Sequence, residues 1–327
     1  MAHRLVLRSK CNGLAASIWL ISLVLLSGCA NSAPTTQTPL STPTVFLMSI
    51  TATPKDDEPV EIVFNSRRGN SDSEIYVMNI DGTNPRNLTN NTAQDLTPAW
   101  SPDGEQIVFV SDRDGNEEIY VMNADGLDVL RLTNSTNADR LPDWSPDGTQ
   151  IAFHSVQNRK SNIYVMNADG SNMRQLTDDP TVDDYGPRWS PDSTQIAFYS
   201  NRNRNMNIFL MNADGSNVSP LTTDAAEDWG AMWSPDGKHI VFSSNRDRRR
   251  QNVFIMDVDG SNVRQLTNEQ TAAEYGVWSP DGTQIMYVLQ SLDNGQWDRY
   301  IMNADGSNAH SLTDDPADAP GYAMWRP

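Results

Sequence analysis

From residue 59 onward the chain alternates short apolar runs with turn-forming clusters, and the runs have the character of strands. Pro98–Trp100, Gln106–Val110, Ile119–Met122 and Val129–Leu132 are rich in β-branched and aromatic residues and are bounded by Pro, Asp, Asn and Gly. Ser101-Pro102-Asp103-Gly104 has hairpin-turn chemistry: proline presets φ at the first corner, and glycine accepts the left-handed position leading into the next strand. Asn123-Ala124-Asp125-Gly126 makes a later turn for the same reasons.

This unit repeats. Trp100, Trp144, Trp189, Trp233, Trp278 and Trp325 are spaced by 44, 45, 44, 45 and 47 residues. Met-Asn or Met-Asp begins at Met78, Met122, Met166, Met211, Met256 and Met302, and Leu-Thr begins at Leu88, Leu132, Leu176, Leu221, Leu266 and Leu312. Four antiparallel strands in about 45 residues, repeated, make a propeller blade. The first unit opens at Glu61–Phe64 without a tryptophan strand, and past Leu312 only one such strand, Tyr322–Trp325, remains. The sequence therefore predicts an all-β fold: a six-bladed β-propeller, each blade a four-stranded antiparallel sheet, closed by the C-terminal strand completing the first blade. A solenoid would need atypical terminal caps instead.

Pro-x-Trp-Ser-Pro-Asp-Gly, Ile-Ala-Phe, Ile-Tyr-Val-Met-Asn-Ala-Asp-Gly and Leu-Thr together resemble the TolB-type, WD40-like propeller repeat over residues 59–327. The resemblance implies protein–protein contacts in the cell envelope. It departs from TolB proper in lacking an α/β domain ahead of the propeller.

Residues 1–28 read as a lipoprotein signal peptide. His3, Arg4, Arg8 and Lys10 form a basic start, and Leu14–Leu26 is uncharged but short for a membrane span. Leu26-Ser27-Gly28-Cys29 resembles a lipobox, which makes Cys29 the expected lipidation site and membrane anchor. Residues 29–58, dominated by Thr, Pro and Ser, read as an extended tether to a propeller domain at 59–327. The expected location is the outer membrane and periplasm or the cell surface, according to envelope type. Cys11 is the other of two cysteines, so a disulfide framework and a cysteine-based site are excluded. The net charge is −18, and it grows more negative once Arg4, Arg8 and Lys10 leave with the signal. Such a field repels nucleic acid.

Strand alternation places the Ser-Pro-Asp-Gly and Asn-Ala-Asp-Gly turns on one face and the variable loops on the other, where binding usually resides. Asp95, Asp139, Asp184 and Asp228 each precede their tryptophan by five residues, with Glu274 and Asp318 nearby in their own units. They are expected to ring the channel mouth, joined on one side by Tyr185, Trp229 and Tyr275. Aromatic rings beside acids suit a basic side chain, a cation or a sugar; the alternative is that each Asp only caps its own loop. Arg68, Arg113, Arg159, Arg204 and Arg248, with Arg202 and Arg246, are expected to form a basic rim farther out.

The chemistry that would signal an enzyme is sparse. Asp257-Val258-Asp259-Gly260 tempts a calcium reading, but Ile255 and Asn268 stand where an EF-hand needs ligands, so it reads as a turn. His154, His239 and His310 come from different units without zinc-ligand spacing. Neither a Gly-x-Ser-x-Gly elbow nor a phosphate-cradling loop occurs. The sequence thus favours a monomeric, non-enzymatic module without a cofactor, binding an envelope protein or peptide. A carbohydrate-active or metal-assisted enzyme with its site at the channel mouth is the alternative.

Overall fold

The computed structural model describes residues 60–68, 72–247, 250–268, 270–312 and 322–327. Cys29, the signal, the tether, Arg248 and Asp318 lie outside the described residues. Every regular element among the described residues is a strand, and the strands form six four-stranded sheets. Five sheets are built from consecutive strands; in blade 2 these are Asp95–Trp100, Gln106–Ser111, Glu118–Asn123 and Leu130–Arg131. Blade 1 takes its inner strand, Ala323–Trp325, from the C-terminus, with Ile62, Val63 and Phe64 opposite Trp325, Met324 and Ala323. The inner strands of successive blades contact one another around the ring, including blade 6 with blade 1 and blade 1 with blade 2. The six-bladed propeller and its closing strand are as expected. The inner strands begin earlier than Pro98 suggested, and the outer ones shrink to two residues.

The repeated residues pack between blades. Val63, Ile75 and Val77 of blade 1 meet Trp100, Ile107, Phe109, Tyr120 and Met122 of blade 2 in one cluster, and the pattern recurs around the ring. The Leu-Thr and Asp-Gly markers are two halves of one contact. A Cβ on Gly126, Gly170, Gly215, Gly260 or Gly306 would lie 2.6–3.0 Å from the carbonyl oxygen of the Leu-Thr leucine in the preceding blade. Only glycine allows that approach while holding a left-handed φ. Thr89, Thr133, Thr177, Thr222 and Thr267, beside their leucines, each accept a backbone N–H through the hydroxyl, as Thr133 does from Ile119 at 2.9 Å, extending the ladder where the outer strand is ending.

Both families of tight turns are held by carboxylates. In the first, Ser101 Oγ donates to Asp103 Oδ1 at 2.5 Å and accepts from Gln106 N at 2.9 Å, and the same closure recurs at Ser145, Ser190, Ser234 and Ser279. In the second, Asp259 Oδ1 accepts the Ser261 N–H at 2.9 Å. The hydrogen bond from the Ser101 hydroxyl, followed by that from the Glu105 N–H, holds Asp103 below the usual carboxylate range. Blade 4 has serine in place of glycine, and Ser193 sits at φ 59°.

Two substitutions test this account by thermal unfolding. Gly260→Ala is expected to destabilise by about 2 kcal/mol or more, because its Cβ strikes backbone rather than a movable side chain. Ser193→Gly is expected to stabilise by about 0.5–1 kcal/mol through relief of the left-handed serine. That gain is set against only a 3.3 Å hydrogen bond from Asp147 N to Ser193 Oγ.

Candidate functional site: the channel mouth

Strand register decides which side chains reach the channel. Asp95, Asp184 and Asp228 stand opposite Ser111, Ser200 and Ser244 on the second strands. The next pairs along are Leu96 with Val110, Arg140 with His154, Tyr185 with Tyr199, Trp229 with Ser243 and Glu274 with Val288. Adjacent strand positions face opposite ways. The aspartates therefore turn from the mouth, and these five cross-strand pairs occupy it.

The expected ring of open carboxylates is accordingly redrawn. Asp95, Asp139, Asp184 and Asp228 are 0–1% exposed. Arg113 Nη2 binds both oxygens of Asp95 at 3.1 and 3.2 Å while its Nε donates to Ser111 Oγ at 2.8 Å. Its guanidinium lies over the Phe109 and Tyr120 rings, 5.3 and 4.8 Å from their centroids. Arg202 repeats this on Asp184 (2.7 and 2.9 Å), Ser200, Phe198 and Phe209, and Arg246 on Asp228 (3.1 and 3.1 Å), Ser244, Phe242 and Phe254. Acid belt and basic rim thus merge at these blades into buried, stacked ion pairs. Of the other expected rim residues, Arg159 is exposed at a hairpin tip and Arg204 on a loop, while the Arg68 carbonyl accepts the Tyr76 hydroxyl at 3.0 Å.

Two blades depart from that scheme. In blade 3 the residue corresponding to Arg113 is Gln157, and Asp139 has Glu118 for a neighbour. Burial first, and the Glu118 charge beside it, hold the Asp139 carboxyl above the usual range. In blade 6 the place of the aspartate belongs to Ala273, opposite Leu289. Glu274 was expected at that place but lies one residue further, on the channel side. A one-residue offset in a strand changes the face. Burial pushes its carboxyl up to about 7.

A β-bulge follows each mouth position, with a left-handed residue at Thr97, Leu141, Gly186, Gly230 and Tyr275. The aromatic side residues are present and partly exposed. Tyr185 stacks on Tyr199 at 5.5 Å, Trp229 lies 5.9 Å from Tyr275, and Tyr275 lies 4.9 Å from Tyr322. Deeper in, Arg188 of blade 4 reaches Tyr322 of the opposite blade 1, with 5.3 Å between guanidinium carbon and ring centroid. It also approaches Asp143 to 3.6 Å, and Asp143 Oδ2 accepts the Trp189 N–H at 2.8 Å. Arg188 spans the channel and separates the mouth from a funnel of about 360 Å³ on the tight-turn face, lined by Trp100, Trp144, Trp189, Trp233 and Trp325.

Sequence reading missed Leu96, Thr97, Leu141, His154 and Tyr199. The available signal was variation inside a repeated strand. Where the second strand otherwise reads alike, one position is successively Val110, His154, Tyr199, Ser243 and Val288.

Removing one partner of a buried ion pair leaves the other uncompensated. Arg202→Gln is expected to cost about 3–5 kcal/mol in chemical denaturation, whereas exposed Arg204→Gln changes stability by less than about 0.5 kcal/mol. Glu274 titrates higher folded than unfolded, so its ionisation removes stability as pH rises from about 4 to 7. Glu274→Gln is therefore expected to raise stability by about 1–2 kcal/mol at pH 8, allowing for partial solvent access, and to leave it unchanged near pH 4.

The TolB beta propeller domain family matches residues 56–183 and 139–315. Among curated proteins, the Tol-Pal system protein TolB of Desulfosudis oleivorans is 40% identical over 58 residues, covering 16% of this chain and 13% of the relative. The protein TolB homolog of Chlorobium luteolum is 47% identical over 45 residues, 14% of this chain and 10% of the relative. These alignments span about an eighth and a tenth of the relatives' own lengths. The crystal structure of TolB from Acinetobacter baumannii superposes with a TM-score of 0.71 at 22% identity, over 82% of this chain and 67% of that one. An oligogalacturonate lyase in complex with manganese superposes with a TM-score of 0.59 at 16% identity, over 76% of this chain and 73% of that one, a likeness of fold alone. With the family matched across nearly all of the propeller, the chain belongs to the TolB beta-propeller domain family.

Proposed function

We propose that this protein is an exported, lipid-anchored binding module, held to a cell-envelope membrane through Cys29 and engaging a segment of an envelope protein at its channel mouth. The observation that carries the reading is the row of partly exposed, blade-specific side chains there, above all Tyr185, Trp229 and Tyr275 beside Glu274. Aromatic rings give a partner large contact area at little conformational cost, and a rigid ring of sheets holds them in place. The curated relative that carries the Tol-Pal system in its name supports an envelope setting. Residues 1–28 would deliver the chain across a membrane, and residues 29–58 would give the propeller reach from its anchor.

The alternative of a channel-mouth enzyme has less to build on. Among the described residues no three His, Cys, Asp or Glu side chains gather as a metal site would require. Of the acids that sequence placed at the mouth, Asp95, Asp184 and Asp228 are buried and committed to Arg113, Arg202 and Arg246.

Crosslinking in living cells, with tagged full-length protein and mass spectrometry, tests both halves of the proposal. Native protein is expected to carry a lipid-modified Cys29 at its N-terminus and to crosslink a defined envelope protein. A folded Trp229→Ser, Glu274→Gln double variant should lose that crosslink at least about tenfold, as for hot-spot residues. An unmodified Cys29 would refute the anchor, and undiminished crosslinking by the variant would move the interface off the mouth.

A further inference from the structure

On the side of the mouth between blades 2, 3 and 4 lies a cavity of about 410 Å³. Its walls are Leu96, Val110 and Leu141 with the rings of Tyr185 and Tyr199, and Glu117 and Arg140 also line it. Two polar atoms of lining residues are buried without a hydrogen-bond partner: His154 Nδ1, on a side chain 3% exposed, and Thr97 Oγ1. Buried polar atoms are nearly always paired, so two orphans on one cavity mark a place where something else supplies the partner.

Backbone strain falls at the same place. Thr97 and Leu141 hold φ 47° and 51° at the bulge position that blades 4 and 5 give to Gly186 and Gly230. A β-branched threonine in the left-handed region is costly, and such strain clusters at ligand clamps. The sister blades show that glycine suits the position, so the fold itself does not require threonine or leucine there.

The cavity is also electrically neutral. Burial, with Arg140 and Arg188 nearby, pushes His154 down to about 3, so the imidazole is uncharged across physiological pH. Arg140 is already paired with Glu117. Both charged residues of the lining, Arg140 and Glu117, are paired with each other, so neither a cationic nor an anionic group finds an uncompensated partner there. Beside the paired Arg140 and Glu117, the walls are mostly hydrocarbon and ring, with two unpartnered buried polar atoms, which suits a bulky apolar group flanked by one amide better than a sugar with hydroxyls on every side.

We propose that this pocket receives an uncharged aromatic or large aliphatic side chain of a peptide, whose adjoining amide hydrogen-bonds to Thr97 and His154. The inference rests on the reading of the mouth as a protein-binding surface and specifies what that surface accepts.

The test is calorimetric titration of the full chain with N-acetyl-tryptophanamide and N-acetyl-leucinamide, beside N-acetyl-argininamide, N-acetyl-aspartamide and a disaccharide. The two uncharged amides should bind with Kd of about 0.1–1 mM, the range open to ligands of this size, and the others much more weakly. His154→Val introduces the residue that blades 2 and 6 carry as Val110 and Val288, and should weaken binding about three- to tenfold with the fold intact. Thr97→Gly introduces the residue of blades 4 and 5, and should raise the melting temperature while weakening binding. Absent binding of both uncharged amides, preferred binding of a charged or sugar probe, or equal affinity in both variants would overturn the inference. If both variants lose the amides yet keep a native crosslink to an envelope protein, the wider binding reading stands and this pocket is not its contact.

Discussion

The molecule depends on the pairing of its last strand with its first. A sheet that ends exposes unpaired N–H and C=O groups, and a closed ring of blades leaves only short edges protected along the channel. Ile62, Val63 and Phe64 opposite Trp325, Met324 and Ala323 make this closure. Arg326 reinforces it by pairing with Glu61 at 2.7 Å, donating to the Gly104 carbonyl at 2.9 Å and stacking over Trp100 at 4.9 Å. One side chain thus clasps blade 1 to blade 2. The central strands, and with them the mouth, are held by a ring that cannot open at one blade without disturbing its neighbours.

Within the ring, repetition serves packing and departures from repetition serve the mouth. Glycine against leucine carbonyl, tryptophan between sheets and carboxylate-closed turns recur because each blade meets the next in the same geometry. The buried Asp–Arg–Ser arrangement belongs to this structural layer. Its stacked guanidinium is shielded by two rings, so the pair is satisfied where an unpaired carboxylate would be expensive. Position by position, the channel side instead reads Leu96, Arg140, Tyr185, Trp229 and Glu274, five chemistries on five equivalent backbones.

This division separates the blade 2–4 pocket from an aromatic and acidic patch around a single mouth. The blade 2–4 side gathers His154, Thr97 and Leu141, while the blade 5–6 side gathers Trp229, Tyr275 and Glu274. Arg188, lying across to Tyr322, gives both sides a floor. A partner segment crossing the mouth would meet different chemistry at each end, which fixes direction as well as position.

Sequence by itself determined the blade count, the closing strand and the role of the repeated tryptophans, because a fixed period and a missing first strand permit one ring. It also singled out Tyr185, Trp229 and Tyr275, which are partly exposed and in ring contact with neighbouring aromatics. Only the tertiary structure decided that Asp95, Asp184 and Asp228 are buried partners of Arg113, Arg202 and Arg246, because a strand's facing alternates residue by residue and conserves nothing along the sequence to reveal its phase. The one-residue offset of Glu274 from Ala273 is the same limit in miniature. His154 and Thr97 were hidden for a related reason: a polar group becomes informative when burial strips it of partners, and burial is a property of the assembled ring.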